Sequence, residues 1–371
     1  MSDSTLRRPK HREIYDYLHA AIAAGQYATG QRLPTDGQLM RQFATSRPTV
    51  ARAMRDLEQG GLVERRPGSG TYVRLPGGVQ HQLLGLLIPG LGETEIFEPI
   101  CGEIARGCQR HQFGLLWGDW SSEADDQKLR AEELCRRYIE QRVAGVFFAP
   151  VELTPGMEQV NREIAHALDR AGIAVVLLDR DVECFPRRSG FDLVGIDNFR
   201  AGYMQAEHVL GLGCRRVHYV ARPMSAPTVD TRIAGYRQAL ADRGIPPEGA
   251  RVHRGDPADV EFVRSLLADL PEAFLCANDI TAANLMRNLI QLGVGVPGQV
   301  RVMGLDDVKY ARLLSVPLST LRQPCRELGA AAMAAMVDRL QNRKLPARSI
   351  LLDTRLVKRE SCGADGPPAD E

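Results

Sequence analysis

Residues 46–73 read SRPTVARAMRDLEQGGLVERRPGSGTYV. Val50, Met54 and Leu57 fall in one narrow arc, with Pro48, Arg52, Arg55 and Gln59 on the opposite side. That is the 3.6-residue period of an amphipathic helix. Thr45 or Ser46 supplies a cap, Pro48 is tolerated in the first turn, and Gly60–Gly61 ends the helix. The segments LVERR and TYVR then flank PGSG, which predicts two short strands and a tight hairpin.

Upstream, Ile14, Leu18 and Ile22 recur at helical spacing with Tyr17 alongside, and PTDGQLMRQF places Leu39, Met40 and Phe43 on one face. Three helices and a hairpin over 9–74 describe a winged helix-turn-helix. Charge agrees with that reading. Residues 1–78 carry twelve basic against seven acidic side chains, whereas the rest of the chain is net negative. A cationic head on a mildly anionic body suits a polyanion-binding module joined to something else. Arginine is the default cation of this chain, with Lys only five times in 371 residues, so position counts for more than mere presence.

The head resembles the DNA-binding domain of the GntR family of bacterial regulators, through GQYATGQRLPT and the 46–73 stretch. The resemblance implies that Arg47, Thr49 and Arg52 lie in or against a major groove, with Ser46 on phosphate and Gly68 and Gly70 shaping the wing tip. The chemistry is consistent, since arginine reads the guanine edge and hydroxyls take phosphate. Arg65 and Arg66 beside the Gly-Ser-Gly tip are placed to approach the minor groove or the backbone.

Residues 75–82, LPGGVQHQ, have no periodicity and read as a linker between the head at 1–74 and a body at 83–359. In the body, the apolar runs LLGLLI, FGLLWG, VAGVFFA, IAVVLL, FDLVGI, RVHYVA, AFLCA and VRVMGL alternate with helical stretches, as in parallel α/β sheets. Its length predicts two lobes. The tail at 360–371 is expected to be disordered. The fold class is therefore α/β: a small winged helix-turn-helix followed by a two-lobed domain.

The body resembles the effector domain of the LacI family, related to periplasmic binding proteins. The landmarks, in order, are FEPICGEIARG, RVAGVFFAP, AVVLLDRD, LVGIDNFRAG, RIAGYRQAL, CANDITAANLMRNL, VMGLDDV and PLSTLRQP. The resemblance implies a small ligand held between the lobes, at the C-terminal ends of the strands. It assigns contacts to Asp179, Arg232, Asn278, Asp306 and Gln323, with Phe97 on the wall of the first lobe or in its core. Asp279 and Asp307 are expected to cap helices instead, as is Asp197–Asn198. Carboxylates, amides and arginine in such a set pair the adjacent hydroxyls of a sugar. The stretches where relatives stack an aromatic ring hold Pro257 and Pro324–Cys325 here. The ligand class thus stays open among a sugar, a nucleobase and a smaller polar metabolite.

Enzyme chemistry has no foothold in the motifs. The eight histidines show no metal spacing, and no nucleophile elbow, P-loop or zinc-protease motif occurs. The eight cysteines form no C-x-x-C pair and read as reduced and structural. No metal and no cofactor are expected. Apolar residues make up 44% and charged residues 25%, the balance of a water-soluble chain. No run is long enough to span a bilayer and the N-terminus lacks a secretory signal, so the expected location is the cytoplasm. Together these readings predict a DNA-binding regulator, a repressor, acting as a homodimer on an operator and controlled by a small sugar-like effector. Two other readings share parts of the pattern: a regulator whose sensor has lost its ligand, and a two-lobed solute receptor.

Overall fold

The helix predicted from 46–73 forms where its apolar arc requires: α3 is Arg47–Gln59, following α1 (Lys10–Ala23) and α2 (Asp36–Gln42). Thr35 caps α2 and closes a capping box with Gln38. Ile14, Leu18, Leu39, Val50, Met54 and Leu57 are buried together, and β1 (Val63–Arg66) pairs antiparallel with β2 (Gly70–Val73) against them. The computed structural model of the chain describes residues 9–23, 26–27, 30–59, 62–66, 69–73, 82–88, 95–118, 127–246 and 250–363. Gly60–Gly61, Gly68 and nearly all of the linker at 75–82 lie outside these residues. By contacts the chain divides into Met1–Gln82 and Leu83–Glu371.

The second unit contains two parallel sheets. Its chain runs β3 (Leu83–Leu87), α4 (Phe97–Arg110), β4 (Gly114–Trp117), α5 (Gln127–Glu140), β5 (Gly145–Phe148), α6 (Met157–Arg170), β6 (Ala174–Leu178) and β7 (Asp192–Ile196). There it crosses into a second lobe of α7 (Asn198–Gly211), β8 (Val217–Ala221), α8 (Pro227–Asp242), β9 (Val252–Arg254), α9 (Val260–Leu266), β10 (Ala273–Cys276), α10 (Asp279–Gln291) and β11 (Arg301–Met303). The strand β12 (Thr320–Arg322) leads back to α11 (Cys325–Gln341) and β13 (Ser349–Leu352), and β14 (Arg355–Val357) returns once more.

The first lobe orders its strands β13-β7-β6-β5-β3-β4 and the second β11-β10-β8-β9. All the predicted apolar runs became strands. Continuous apolar sequence is what a strand needs when helices cover both faces of its sheet. In the first lobe α4 and α11 cover one face, α5 and α6 the other. In the second, α7 and α8 oppose α9 and α10. The antiparallel pair β12–β14 and the stretch after Ile196 make the crossings between lobes. The expected disorder of 360–371 is corrected at its start. Residues Glu360–Cys362 form a 3-10 turn, because the Ser361 hydroxyl donates to the Val302 carbonyl (2.7 Å) and accepts from the Ser319 amide (2.8 Å). Residues 364–371 lie outside the described residues.

The helices α7 and α8 cross so closely that a Cβ on Gly202 would run into the Arg232 carbonyl, and one on Gly235 into the Phe199 carbonyl. Backbone cannot retreat as a side-chain tip can. Gly235→Ala should therefore destabilise the second lobe by roughly 1–3 kcal/mol, a fall of about 2–10 °C in Tm. Gly211→Ala, where a Cβ meets nothing within 4 Å, should be neutral or raise Tm slightly. Equal melting curves for the two variants would contradict the packing described.

Candidate functional site

The head presents its cations on the face that its core leaves free. Arg47, Arg52 and Arg55 of α3 are exposed, and so is Ser46 at its start. The Ser46 and Thr49 hydroxyls lie 3.0 Å apart, aligned at the N-terminal turn. Arg65 reaches Asp36 at the start of α2 (3.4 Å), while Arg66 meets Glu64 (3.3 Å) and lies over the Tyr72 ring. Both wing arginines stay more than half exposed, so these are exchangeable surface pairs. Gly70 has φ 124, a backbone suited to glycine, and the Arg32 guanidinium occupies the space its Cβ would take. Arg32 is a wing-side cation that the sequence pattern did not single out.

In the body, Asp179 follows β6, Arg232 lies on α8, Asn278 ends the β10 segment, and Asp306 with Gln323 follows β11 and β12. The two lobes bring Asp179, Arg232 and Asp306 within electrostatic reach of one another. Gln323 donates to Asp306 at 2.7 Å. Two further side chains join them, neither chosen from the sequence as a ligand contact. Arg180 is 5% exposed and meets Glu152 at 2.6 Å and Asp179 at 3.6 Å. Glu152 also accepts from the Ala226 amide of the opposite lobe at 3.2 Å. The strand-end rule that found Asp179 would have found Arg180 beside it. Glu152, four residues beyond β5, carried no such mark.

Burial raises the pKa of Asp179, with Arg180 and Arg232 opposing. For Asp306 burial and the neighbouring Asp279 carboxyl push the same way, well above the usual carboxylate range. Burial acts against charge on Glu152 too, but Arg180 outweighs it and the pKa is lowered. Arg232 donates to Asn198 (2.8 Å), to Thr228 (3.3 Å) and to the Ala277 carbonyl. The Arg180 Nε, the Tyr219 hydroxyl and the Gln323 Oε1 are buried without a hydrogen-bond partner. Native proteins seldom leave such atoms unpaired.

Three expectations are corrected. Asn278, not Asp279, caps α10, its carbonyl accepting from the Thr281 amide (3.0 Å). Asp279 instead turns into the core, accepting from Thr320 (2.6 Å) and the Val308 amide (3.0 Å). Asp307 caps no helix and pairs with Arg322 and Arg359, both at 2.6 Å. Of the two places open to Phe97, wall or core, it takes the core, wholly buried with the Arg180 guanidinium 6.0 Å from its ring centre. Asp197 does cap α7, accepting from the Arg200 amide (2.9 Å), whereas the neighbouring Asn198 accepts from Arg232. Backbone φ is positive at Asp179 (66°) and Asp306 (130°), strain of the kind that collects at functional sites.

The lobes meet along both rims. On one, the Lys309 amide donates to Glu95 (2.9 Å) and its ammonium to Glu98 (2.7 Å). On the other, the Leu153 amide donates to the Met224 carbonyl (2.9 Å). A groove of about 1420 Å³ takes in Asp306 and Gln323 but none of Asp179, Arg232, Asn278 and Phe97. Among the described residues no group of three or more His, Cys, Asp or Glu could hold a metal ion. No described helix is long and apolar enough to cross a membrane.

A winged helix-turn-helix joined to a two-lobed, periplasmic-binding-protein-like domain is the architecture these parts define. Residues 10–73 match the bacterial regulatory proteins of the gntR family, and residues 206–362 the periplasmic binding protein-like domain. The chain is similar to the arabinose metabolism transcriptional repressor of Geobacillus stearothermophilus, 25% identical over 361 residues, 93% of this chain and 94% of that protein. It is 28% identical to the HTH-type transcriptional repressor PurR of Klebsiella pneumoniae over 294 residues, 77% of this chain and 81% of that one. In fold it resembles a LacI family transcriptional regulator from Enterococcus faecium solved with bound ribose. That likeness has a TM-score of 0.62 and 22% identity, covering 75% of this chain and 98% of that one.

The Asp279 carboxyl sits at about 6, raised from 3.8 chiefly by burial. A raised folded-state pKa adds stability below the unfolded value, and that stability is lost as pH rises through the folded value. Asp279→Asn should therefore gain on the wild type between pH 4 and 7, by on the order of 3 kcal/mol. Urea unfolding at several pH values measures this. Parallel curves would mean that Asp279 ionises as freely folded as unfolded.

Proposed function

We propose that this chain is a cytoplasmic transcriptional repressor that binds operator DNA through its head and a small sugar-like ligand between the lobes of its body. The observation that carries the reading is the continuity of the likeness. The similarity to the arabinose repressor covers 93% of the chain, so head and body stand in one chain as they do in a protein named for repression.

In this reading Arg47, Thr49 and Arg52 address base edges in the major groove and Ser46 a phosphate, since all begin or follow the exposed turn of α3. Arg65 and Arg66 would exchange Asp36 and Glu64 for the DNA backbone, with Gly70 keeping the wing narrow. One recognition helix covers a half-site, so a homodimer reads a palindrome. Asp179, Arg232, Asp306 and Gln323 hold the ligand from both lobes, and Asn278 adds its amide N–H group while its carbonyl caps α10. A ligand that binds the closed lobes better than the open ones shifts the population, with coupling on the order of 1–3 kcal/mol. Passed through the linker to a pair of heads, that shift alters operator affinity. The proposal assigns no catalytic step.

Arg47 is exposed and makes no core contact, so Arg47→Ala should leave thermal unfolding unchanged. It should weaken operator binding by roughly 10–100-fold, the worth of one good base contact. Fluorescence anisotropy with promoter DNA from the neighbouring genes measures it, and the wild-type affinity should fall steeply with salt. Unaltered affinity in the variant would remove α3 from the interface.

A further inference from the structure

The wing of the head has a third extended segment, and it carries a cation to which the proposed function gives no part. The Gly30 amide donates to the Val73 carbonyl (2.8 Å), the Val73 amide to the Gln31 carbonyl (2.8 Å) and the Leu33 amide to the Thr71 carbonyl (2.9 Å). Arg32 is thereby fixed antiparallel to Tyr72 of β2. Leu33 is buried in the core of the head, and extended side chains alternate, so Arg32 is turned to the exposed face. Tyr72 and Gly70 share that face, as does Arg66, which pairs across from Gly70.

The Arg32 guanidinium does not stay beside Tyr72. It lies on Gly70, where a Cβ would stand 2.6 Å from its Nε. That offset of two residues carries the charge roughly 7 Å along β2 toward the tip of the hairpin. The three wing cations also differ in what holds them. Arg65 meets Asp36 and Arg66 meets Glu64, whereas among the described residues no carboxylate pairs with Arg32. A phosphate reaching Arg65 or Arg66 must displace a carboxylate; one reaching Arg32 displaces only water. A planar guanidinium already laid on the backbone of Gly70 also has less freedom to lose on binding.

Resting on the DNA-binding role proposed for the head, we infer that Arg32 is a further phosphate contact of the wing, seated by the missing side chain of Gly70. Full-length wild type, Arg32→Ala, Arg32→Lys and Arg47→Ala are compared by fluorescence anisotropy on promoter DNA from the neighbouring genes and on a duplex of random sequence. Salt is varied from about 50 to about 200 mM. Arg32→Ala should weaken binding to both duplexes alike and flatten the plot of log K against log salt by about 0.9, the worth of one phosphate. Arg32→Lys keeps the charge and should restore most of that slope, with thermal unfolding unchanged in both variants. A wild-type slope in Arg32→Ala overturns the inference, and so does a loss confined to the promoter duplex. Failure of the lysine variant to restore the slope overturns it as well, by assigning the effect to packing on Gly70. If Arg47→Ala weakens promoter binding while Arg32→Ala is silent, Arg32 alone is excluded and the proposed function stands. If the wild type binds neither duplex, both fall together.

Discussion

Burying several charges in one place is the constraint on which this body depends. Glu152, Arg180 and Asp179 come from one lobe, Arg232 and Asp306 from the other, and each acts on the rest through a medium that screens poorly. Desolvation disfavours every one of them alone. The ion pairs of Arg180 with Glu152 and Asp179 lie within the first lobe, while Arg232 acts on both carboxyls from the second, so only part of the mutual attraction depends on the lobes staying together.

The periphery of the cleft adds only weakly to that attraction. Lys309 and Glu98 are each about 70% exposed, so their pair contributes little by itself. Glu152 differs, being held at once by Arg180 and by the backbone of the opposite lobe. Interior contacts thus set the preference for closure, and the rim supplies register.

Much of this was legible in the sequence because the relevant forces are local or periodic. The arc of Val50, Met54 and Leu57 and the apolar runs of the sheets follow from helix and strand periods alone. The strands β9, β12, β13 and β14 were not read: β9, β12 and β14 are three residues long and interrupted by polar side chains, and the apolar part of β13 is only Ile350–Leu352. At the cleft, the strand-end rule reached Asp179, Asp306 and Gln323 but misassigned the pair Asn278–Asp279. Adjacent residues at a strand-to-helix junction face different ways. Here the choice is made by Thr320 and Val308, which bind Asp279 from about 41 and 29 residues along the chain. Tyr219 stood in mid-strand, where an aromatic reads as core. Only the fold shows its hydroxyl to be unpaired.

The crossings limit how the lobes can move. The strands β12 and β14 pair with each other, and Asp307 binds Arg322 from one and Arg359 just beyond the other. Asp307 is nearly enclosed, and breaking either ion pair would leave a buried charge with half its partners. This part of the connection therefore travels with the second lobe as a unit. Rotation is left to the short stretches where the chain leaves a sheet, at Asp197, at Gln323–Pro324 and at Asp353–Thr354. Gln323 belongs to both functions: its backbone lies at a crossing and its amide holds Asp306. The side chain that orders the Asp306 carboxyl thus belongs to a residue where the chain leaves one lobe for the other, so a change in the angle between the lobes bears directly on that hydrogen bond.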